Sequence, residues 1–191
     1  MTVFETARLV IRDWTEHPDD LACAYDIYRR PEVVRWLGGA GLPLTAPGQA
    51  VDLVRRWQAR NAAMGEPYGL WAVVPRDPGV PVGTVLMKPM PGRDEGRLSD
   101  DIEVGWHLHP DAWGRGYATE AARGALARGF DAGVDVIHAV VSPGNAASIA
   151  VTRRLGMTPV GRRTDWYGGE ELETFVLTAE QHRPGDGHGV R

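Results

Sequence analysis

The chain has 191 residues, 43% hydrophobic and 24% charged, and its 21 basic against 25 acidic side chains give a net charge of −4. Such a balance suits one soluble globular domain and excludes a chain whose main state is disorder. No block of like charge points to nucleic acid or an anionic membrane as partner, and the longest apolar runs are too short to span a bilayer. The opening Met1-Thr2-Val3-Phe4-Glu5 lacks the basic-then-apolar pattern of a secretory signal, and the lone Cys23 has no partner for an intramolecular disulfide or a cysteine-based metal cluster. A cytoplasmic protein is expected.

Alternation from Val3 to Trp14 predicts a first strand. Leu21, Ala24, Tyr25 and Tyr28 recur at helical spacing until Pro31, whose ring excludes continuation. A short helix through Val33 and Trp36 precedes the flexible break Gly38-Gly39-Ala40-Gly41, and Ala50, Leu53, Val54 and Trp57 form the next helical stripe, closed near Gly65. Strands are expected over Leu70–Val74 and Val82–Lys88, separated by the turn Pro75-Arg76-Asp77-Pro78-Gly79. A polar loop from Pro89 to Asp100 leads into a strand in which Ile102, Val104, Trp106 and Leu108 alternate with Glu103, Gly105 and His107. Ala118, Ala121, Ala122, Ala125, Leu126, Gly129 and Phe130 make the cleanest helical stripe. Val136–Val141 reads as an apolar strand covered on both faces, 145–155 as a short helix, and the end as a hairpin around Gly168-Gly169 with a strand through Phe175-Val176-Leu177. Residues 1–179 are expected to form one domain and 180–191 a loose polar tail. The order of elements implies a mixed α/β arrangement around one sheet.

The informative segment is Trp113-Gly114-Arg115-Gly116-Tyr117-Ala118-Thr119-Glu120, wedged between a strand and the strongest helix. Glycines 114 and 116 allow a sharp turn and close approach to a ligand, and the helix that follows offers unpaired N–H groups and a positive dipole end suited to phosphate. Arg115 adds a cation. A ligand-free Gly-rich turn is the competing reading. No Gly-x-x-x-x-Gly-Lys-[Ser/Thr] string exists. A Gly-x-Gly-x-x-Gly dinucleotide fingerprint fails at Thr119, and Asp135, although near the right distance for a ribose-binding acid, precedes the next strand.

Trp113-Gly114-Arg115-Gly116-Tyr117-Ala118 resembles the pyrophosphate loop Gln/Arg-x-x-Gly-x-Gly/Ala of the GNAT superfamily of acyl-CoA-dependent N-acetyltransferases, with Trp113 departing from its first position. The continuation Tyr117-Ala118-Thr119-Glu120-Ala121, the opening Glu5-Thr6-Ala7-Arg8-Leu9-Val10-Ile11-Arg12, and Asn145-x-x-Ser148 followed by Leu155-Gly156-Met157 resemble the branch that contains the ribosomal-protein N-terminal acetyltransferases. The resemblance covers about residues 3 to 178. It implies a GNAT fold: an α/β protein with a single mixed, largely antiparallel sheet, splayed at the cofactor site, and helices on both faces.

The resemblance further implies acetyl-CoA as co-substrate, with no metal. Its pyrophosphate would lie on the N–H groups from Arg115 to Thr119, and its pantetheine arm along Trp106, Leu108 and His109, where strands 102–108 and 136–141 splay. A backbone N–H near Leu108 would polarise the thioester carbonyl. Trp113, Gly114, Gly116, Tyr117, Ala118, Asn145 and Ser148 complete the implied cofactor contacts.

An amine nucleophile must be neutral, so a base is required. Glu103 is the first candidate, on the polar face of the cofactor strand; a salt-bridged strand residue is its other reading. His107 lies further along the same face and is the second candidate. The tyrosine acid common in the family is replaced by Thr152, and Ser148 is the residue expected near the coenzyme sulfur, with Asn145 as helix cap and cofactor contact. Trp36, Trp166 and Tyr167, beside Gly-rich loops, are candidates for the acceptor pocket, although core positions are the default for tryptophan. Cys23 reads as a small buried apolar residue rather than a nucleophile.

The expected activity is transfer of acetyl from acetyl-CoA to a primary amine, a protein N-terminus or a small molecule, by direct attack in a ternary complex. A non-catalytic acyl-CoA sensor or interaction protein is the alternative. A homodimer is compatible with the resemblance, but no interface is legible.

Overall fold

Eight strands form one sheet in the computed structural model, which describes residues 1–37, 42–94 and 96–182. In chain order, β1 (Thr2–Glu5) and β2 (Leu9–Asp13) precede α1 (Pro18–Tyr28), α2 (Pro31–Val34) and α3 (Gly48–Met64). Then come β3 (Gly69–Pro75), β4 (Gly83–Pro91), β5 (Leu98–Leu108), α4 (Tyr117–Asp131), β6 (Val136–Val141) and α5 (Ala146–Arg154). The described chain ends with β7 (Thr158–Arg163), β8 (Leu172–Thr178) and the single turn α6 (Ala179–His182). The spatial order is β1-β2-β3-β4-β5-β6-β8-β7, and every neighbouring pair is antiparallel except β5 with β6. The order of elements predicts the mixed α/β arrangement around one sheet, and the GNAT resemblance its largely antiparallel pairing and the splay at the cleft.

The two-residue period of the strands divides the core into two layers. On one face Leu70, Ala72, Val74 and Leu86 pack with Ala24, Ile27, Val33, Val54 and Trp57 of α1, α2 and α3. On the other, Trp71, Val73, Val85, Met87 and Val104 pack with Ala121, Ala122, Ala125 and Leu126 of α4. The alanine stripe brings α4 close to the sheet. At Gly129 a Cβ would come within 2.7 Å of Met87 Sδ, so glycine is required there for the approach. Burying side chains such as Leu126 or Ile137 stabilises the fold by about 2 kcal/mol each. Pro18 and Pro31 open α1 and α2, where a missing N–H costs no helical bond.

The parallel neighbours β5 and β6 pair only at Ile102 with Ile137 and Glu103 with His138. Beyond that point the strands part, and Gly105–Leu108 on one side and Ala139–Ser142 on the other border an open cleft. Main-chain groups of a strand that loses its neighbour become available to a ligand.

Four details differ from the sequence expectations. The first strand is a hairpin, turned at Thr6–Arg8, where Thr6 N–H donates to Leu9 O (2.9 Å) and Leu9 N–H to Thr6 Oγ1 (3.0 Å). That turn contains neither Gly nor Pro, so alternation ran through it unbroken. The expected polar loop is shortened at both ends, because β4 extends to Pro91 and β5 starts at Leu98. β6 is fully buried on one face only, by Ile137, Ala139 and Val141. Finally, α6 takes the first residues assigned to the tail; the rest of that tail and the Gly38–Gly41 break lie outside the described residues.

Candidate active site

A cavity of about 1350 Å³ runs from the cleft between β5 and β6 to the space under α2 and α3. At its cleft end lies the start of α4. Gly114 and Gly116 adopt left-handed backbone (φ +72° and +80°), and Gly116 occupies the N-cap position with no side chain covering the helix end. The first helical bond is donated by Glu120 N–H to Gly116 O, so the N–H groups of Tyr117, Ala118 and Thr119 have no intrahelical acceptor. Trp113, Gly114, Gly116, Tyr117, Ala118 and Thr119 line the cavity, as do Trp106 and Leu108 of β5.

The loop is tied down from outside. Glu120 accepts from Thr6 Oγ1 (2.6 Å), Arg8 N–H (2.8 Å) and Arg8 Nε (2.7 Å), while Arg8 Nη1 donates to Arg115 O (2.9 Å). Burial alone would raise the Glu120 pKa, but the bonds from Thr6 and Arg8 hold it below the usual carboxylate range. The Thr6-Ala7-Arg8 opening thus braces the loop from β1 and β2. The Arg115 side chain is not part of the cavity lining.

At the opposite end the strand register sets Lys88 beside Glu103. Lys88 is the chain's single lysine among 21 basic residues, set in the apolar run Val85-Leu86-Met87-Lys88-Pro89-Met90. Its buried ammonium pairs with Glu103 Oε1, and the Tyr167 hydroxyl donates to the same oxygen. Glu103 Oε2 has no hydrogen-bond partner among the described residues. Burial, and then the Glu103 charge, push the Tyr167 hydroxyl far above its ordinary pKa, so it stays protonated. Tyr167 also sits at φ +51°, a left-handed conformation that costs a non-glycine residue about 1–2 kcal/mol.

On the same sheet face, Tyr28 hydroxyl donates to Thr84 Oγ1 (2.7 Å) and lies 3.2 Å from His107 Nδ1. Burial, with a smaller push from the Lys88 charge, lowers the His107 pKa to about 4, so the imidazole is neutral near pH 7. Glu103, His107, Trp36 and Tyr167 all line the cavity.

The remaining candidates are placed as follows. Ser148 lines the cavity from the first turn of α5, with its N–H capped by Asn145 Oδ1 (3.2 Å); Asn145 lines it too. Thr152 is fully buried and its hydroxyl donates to Ile149 O (2.8 Å), so it faces no reacting group. His109 Nδ1 accepts from Asp111 N–H (3.1 Å) and its backbone N–H donates to Val82 O (2.8 Å), outside the cavity lining. Trp166 is buried away from the cavity, with its indole N–H donating to Asp101 Oδ2 (2.9 Å). Burial raises the Cys23 thiol pKa, which disfavours a thiolate. Among the described residues there is no group of three or more His, Cys, Asp or Glu able to hold a metal ion, and no helix long and apolar enough to cross a membrane.

Two functional features escaped the sequence reading. One is the ion pair: an isolated lysine within an apolar strand was a visible signal, but its partner follows only from the β4–β5 register. The other is the brace from Thr6 and Arg8 to Glu120, which joins residues more than a hundred positions apart.

Comparison with known proteins agrees with this geometry. The family profile described as "Acetyltransferase (GNAT) domain" matches residues 8–158. The uncharacterized N-acetyltransferase YoaA of Bacillus subtilis is 25% identical over 185 residues, covering 95% of this chain and 98% of that protein. A GNAT-family acetyltransferase from Bacillus anthracis superposes with a TM-score of 0.73 at 20% identity, covering 94% of this chain and 99% of that one. The ribosomal L7/L12 alpha-N-protein acetyltransferase RimL, solved with coenzyme A, gives 0.73 at 12% identity over 95% of this chain and 99% of that one. By its family profile and its fold, the chain belongs to the GNAT acetyltransferase family, which supports acetyl transfer from acetyl-CoA.

Proposed function

We propose that the protein transfers acetyl from acetyl-CoA to a primary amine by direct attack in a ternary complex. The observation that carries this reading is one continuous cavity: the parted strands and bare α4 terminus lie at one end, and a carboxylate with one unengaged oxygen at the other. The pyrophosphate is held by the N–H groups at Tyr117–Thr119. The acyl-pantetheine arm enters the cleft along Trp106–Leu108, where a backbone N–H near Leu108 polarises the thioester carbonyl.

The amine nitrogen attacks the carbonyl carbon and the carbon–sulfur bond breaks. The proton lost from nitrogen goes to Glu103 Oε2, directly or through water. Lys88 and Tyr167 fix the carboxylate through Oε1 and leave Oε2 toward the amine. His107, neutral near pH 7, is the second acceptor on the same face. Ser148 hydrogen-bonds the departing thiolate. No side chain is required as a covalent acyl carrier.

The test is CoA thiol release from acetyl-CoA across a panel of amines and short peptides, with mass spectrometry of both acceptor and protein. The expected result is one thiol released per acetyl group gained by the acceptor, with the protein mass unchanged. Tight acetyl-CoA binding with no release to any acceptor would overturn the catalytic reading in favour of a sensor. Acetylated protein formed at the rate of turnover would overturn direct attack.

A further inference from the structure

The protein is acidic overall, but the acceptor end of the cavity is cationic. Among the described residues, Arg35, Arg60, Lys88, Arg93 and Arg97 line it, against Glu32, Asp94 and Glu103. Two of the three carboxylates are already engaged: Glu103 by Lys88, and Glu32 by Arg30 at 3.8 Å. Among the described residues, Arg35, Arg60, Arg93 and Arg97 form neither a salt bridge nor a side-chain hydrogen bond.

These arginines come from three separate segments. Arg60 is on α3, near enough for its charge to act on Tyr167 against those of Glu103 and Glu170. Arg93 is in the β4–β5 connection, with Nε 3.7 Å from where a Cβ on Gly169 would lie, beside Tyr167. Arg97 follows in the same connection, anchored by Gly92 N–H donating to its carbonyl (2.7 Å). Arg35 follows α2 and lies 4.6 Å over the ring of Trp36.

Four exposed arginines that have no salt bridge among the described residues line this end of the cavity, and an anionic ligand would offset their mutual repulsion. Guanidinium is the side chain best matched to bidentate capture of carboxylate or phosphate. An acceptor rich in ammonium groups would meet like charge there.

Resting on the acetyl-transfer reading above, we propose that the acceptor is an amine that carries an anionic group, a carboxylate or phosphate, held by the Arg35, Arg60, Arg93 and Arg97 rim while its amine reaches Glu103. Polycationic amines are rejected by the same rim. The anion can be supplied by a small molecule or by an acidic peptide next to its N-terminus, and the two are separated by experiment.

The probes are two matched sets. The peptides Ser-Asp-Glu-Leu, Ser-Asn-Gln-Leu and Ser-Lys-Lys-Leu differ only in charge beside a common N-terminus. O-phosphoserine, serinamide and spermidine form the small-molecule set. Affinities are read by tryptophan fluorescence with and without CoA, and acetyl transfer is read separately by thiol release. In at least one set, the anionic probe should bind about tenfold or more tighter than its neutral counterpart, with the cationic one weakest, and the preference should shrink as salt rises. The set that shows the preference identifies the source of the anion. Arg60→Ala combined with Arg93→Ala should reduce the preference to near parity and leave CoA affinity unchanged. Equal or reversed preference in both sets, or no binding by any probe, overturns the proposal. An unaltered preference in the double variant overturns the assignment to these arginines. Anion-selective binding without thiol release would refute the transferase reading and leave the rim's selectivity standing.

Discussion

Replacing Glu103 by Gln probes structure and chemistry together, and the two effects can be separated. The Lys88 and Glu103 side chains are only 9% and 6% exposed, so removing the carboxylate's charge strands a buried ammonium. The amide oxygen can still accept from Tyr167, but the ion pair is gone. Breaking one partner of a buried pair costs about 3 kcal/mol. With a urea slope of about 2 kcal/mol per molar, the unfolding midpoint of Glu103→Gln should fall by about 1.5 M. Lys88→Met added to Glu103→Gln removes the stranded charge and should restore about 2 kcal/mol of that loss, so the double variant is more stable than either single variant. Turnover should not return with stability. If Glu103 Oε2 takes the amine proton, both Glu103→Gln and the double variant lose about 100-fold in kcat. Urea unfolding of all four proteins, paired with initial rates at a temperature where each is folded, gives both readings. A Glu103→Gln protein as stable as the parent would refute the ion-pair argument, and a double variant with full activity would refute the base assignment.

Three further outcomes follow from the same geometry. The His107 pKa falls from 6.5 to about 4 on folding, so between those pH values the unfolded chain binds more protons and stability declines as pH falls; the loss approaches about 3 kcal/mol below pH 4, and His107→Gln should flatten that part of the stability–pH curve, an unchanged curve being contrary. Gly116→Val forces a β-branched residue to φ +80° and sets its Cβ 3.3 Å from Arg8 Nη2; it should weaken acetyl-CoA binding at least tenfold while circular dichroism shows a retained fold, and unchanged affinity would refute the loop assignment. Glu120→Ala removes the bonds to Thr6 and Arg8 and should cost about 2 kcal/mol in thermal or chemical unfolding. Because the folded Glu120 pKa is depressed, its contribution is present above the unfolded carboxyl pKa and fades as pH falls through the folded value, so parent and variant should converge in acid.

Local pattern carried most of the fold and half of the site. The alanine stripe of α4 and the alternation in β5 are short-range signals, so both elements lie where periodicity set them. The glycine loop was legible because positive φ at Gly114 and Gly116 is a backbone requirement written into residue type. Contacts made across the sheet were not legible. Trp166 sits next to a Gly-rich turn, as a pocket residue might, yet Asp101 and the His138 ring hold its indole in the interior. Glu103 read equally well as a base or a salt-bridged residue, and only the Lys88 register shows that one oxygen is paired and the other is not. The charge of the acceptor rim was hidden for the same reason, since the net charge of −4 averages over faces that the fold keeps apart.

The account depends first on the cleft between β5 and β6 and the bare start of α4 being an acyl-CoA site. Titration calorimetry of acetyl-CoA into the protein tests that claim most directly. Saturable binding of one acetyl-CoA per chain, weakened at least tenfold in folded Gly116→Val, is the predicted result. Absence of binding to the folded parent protein would contradict it.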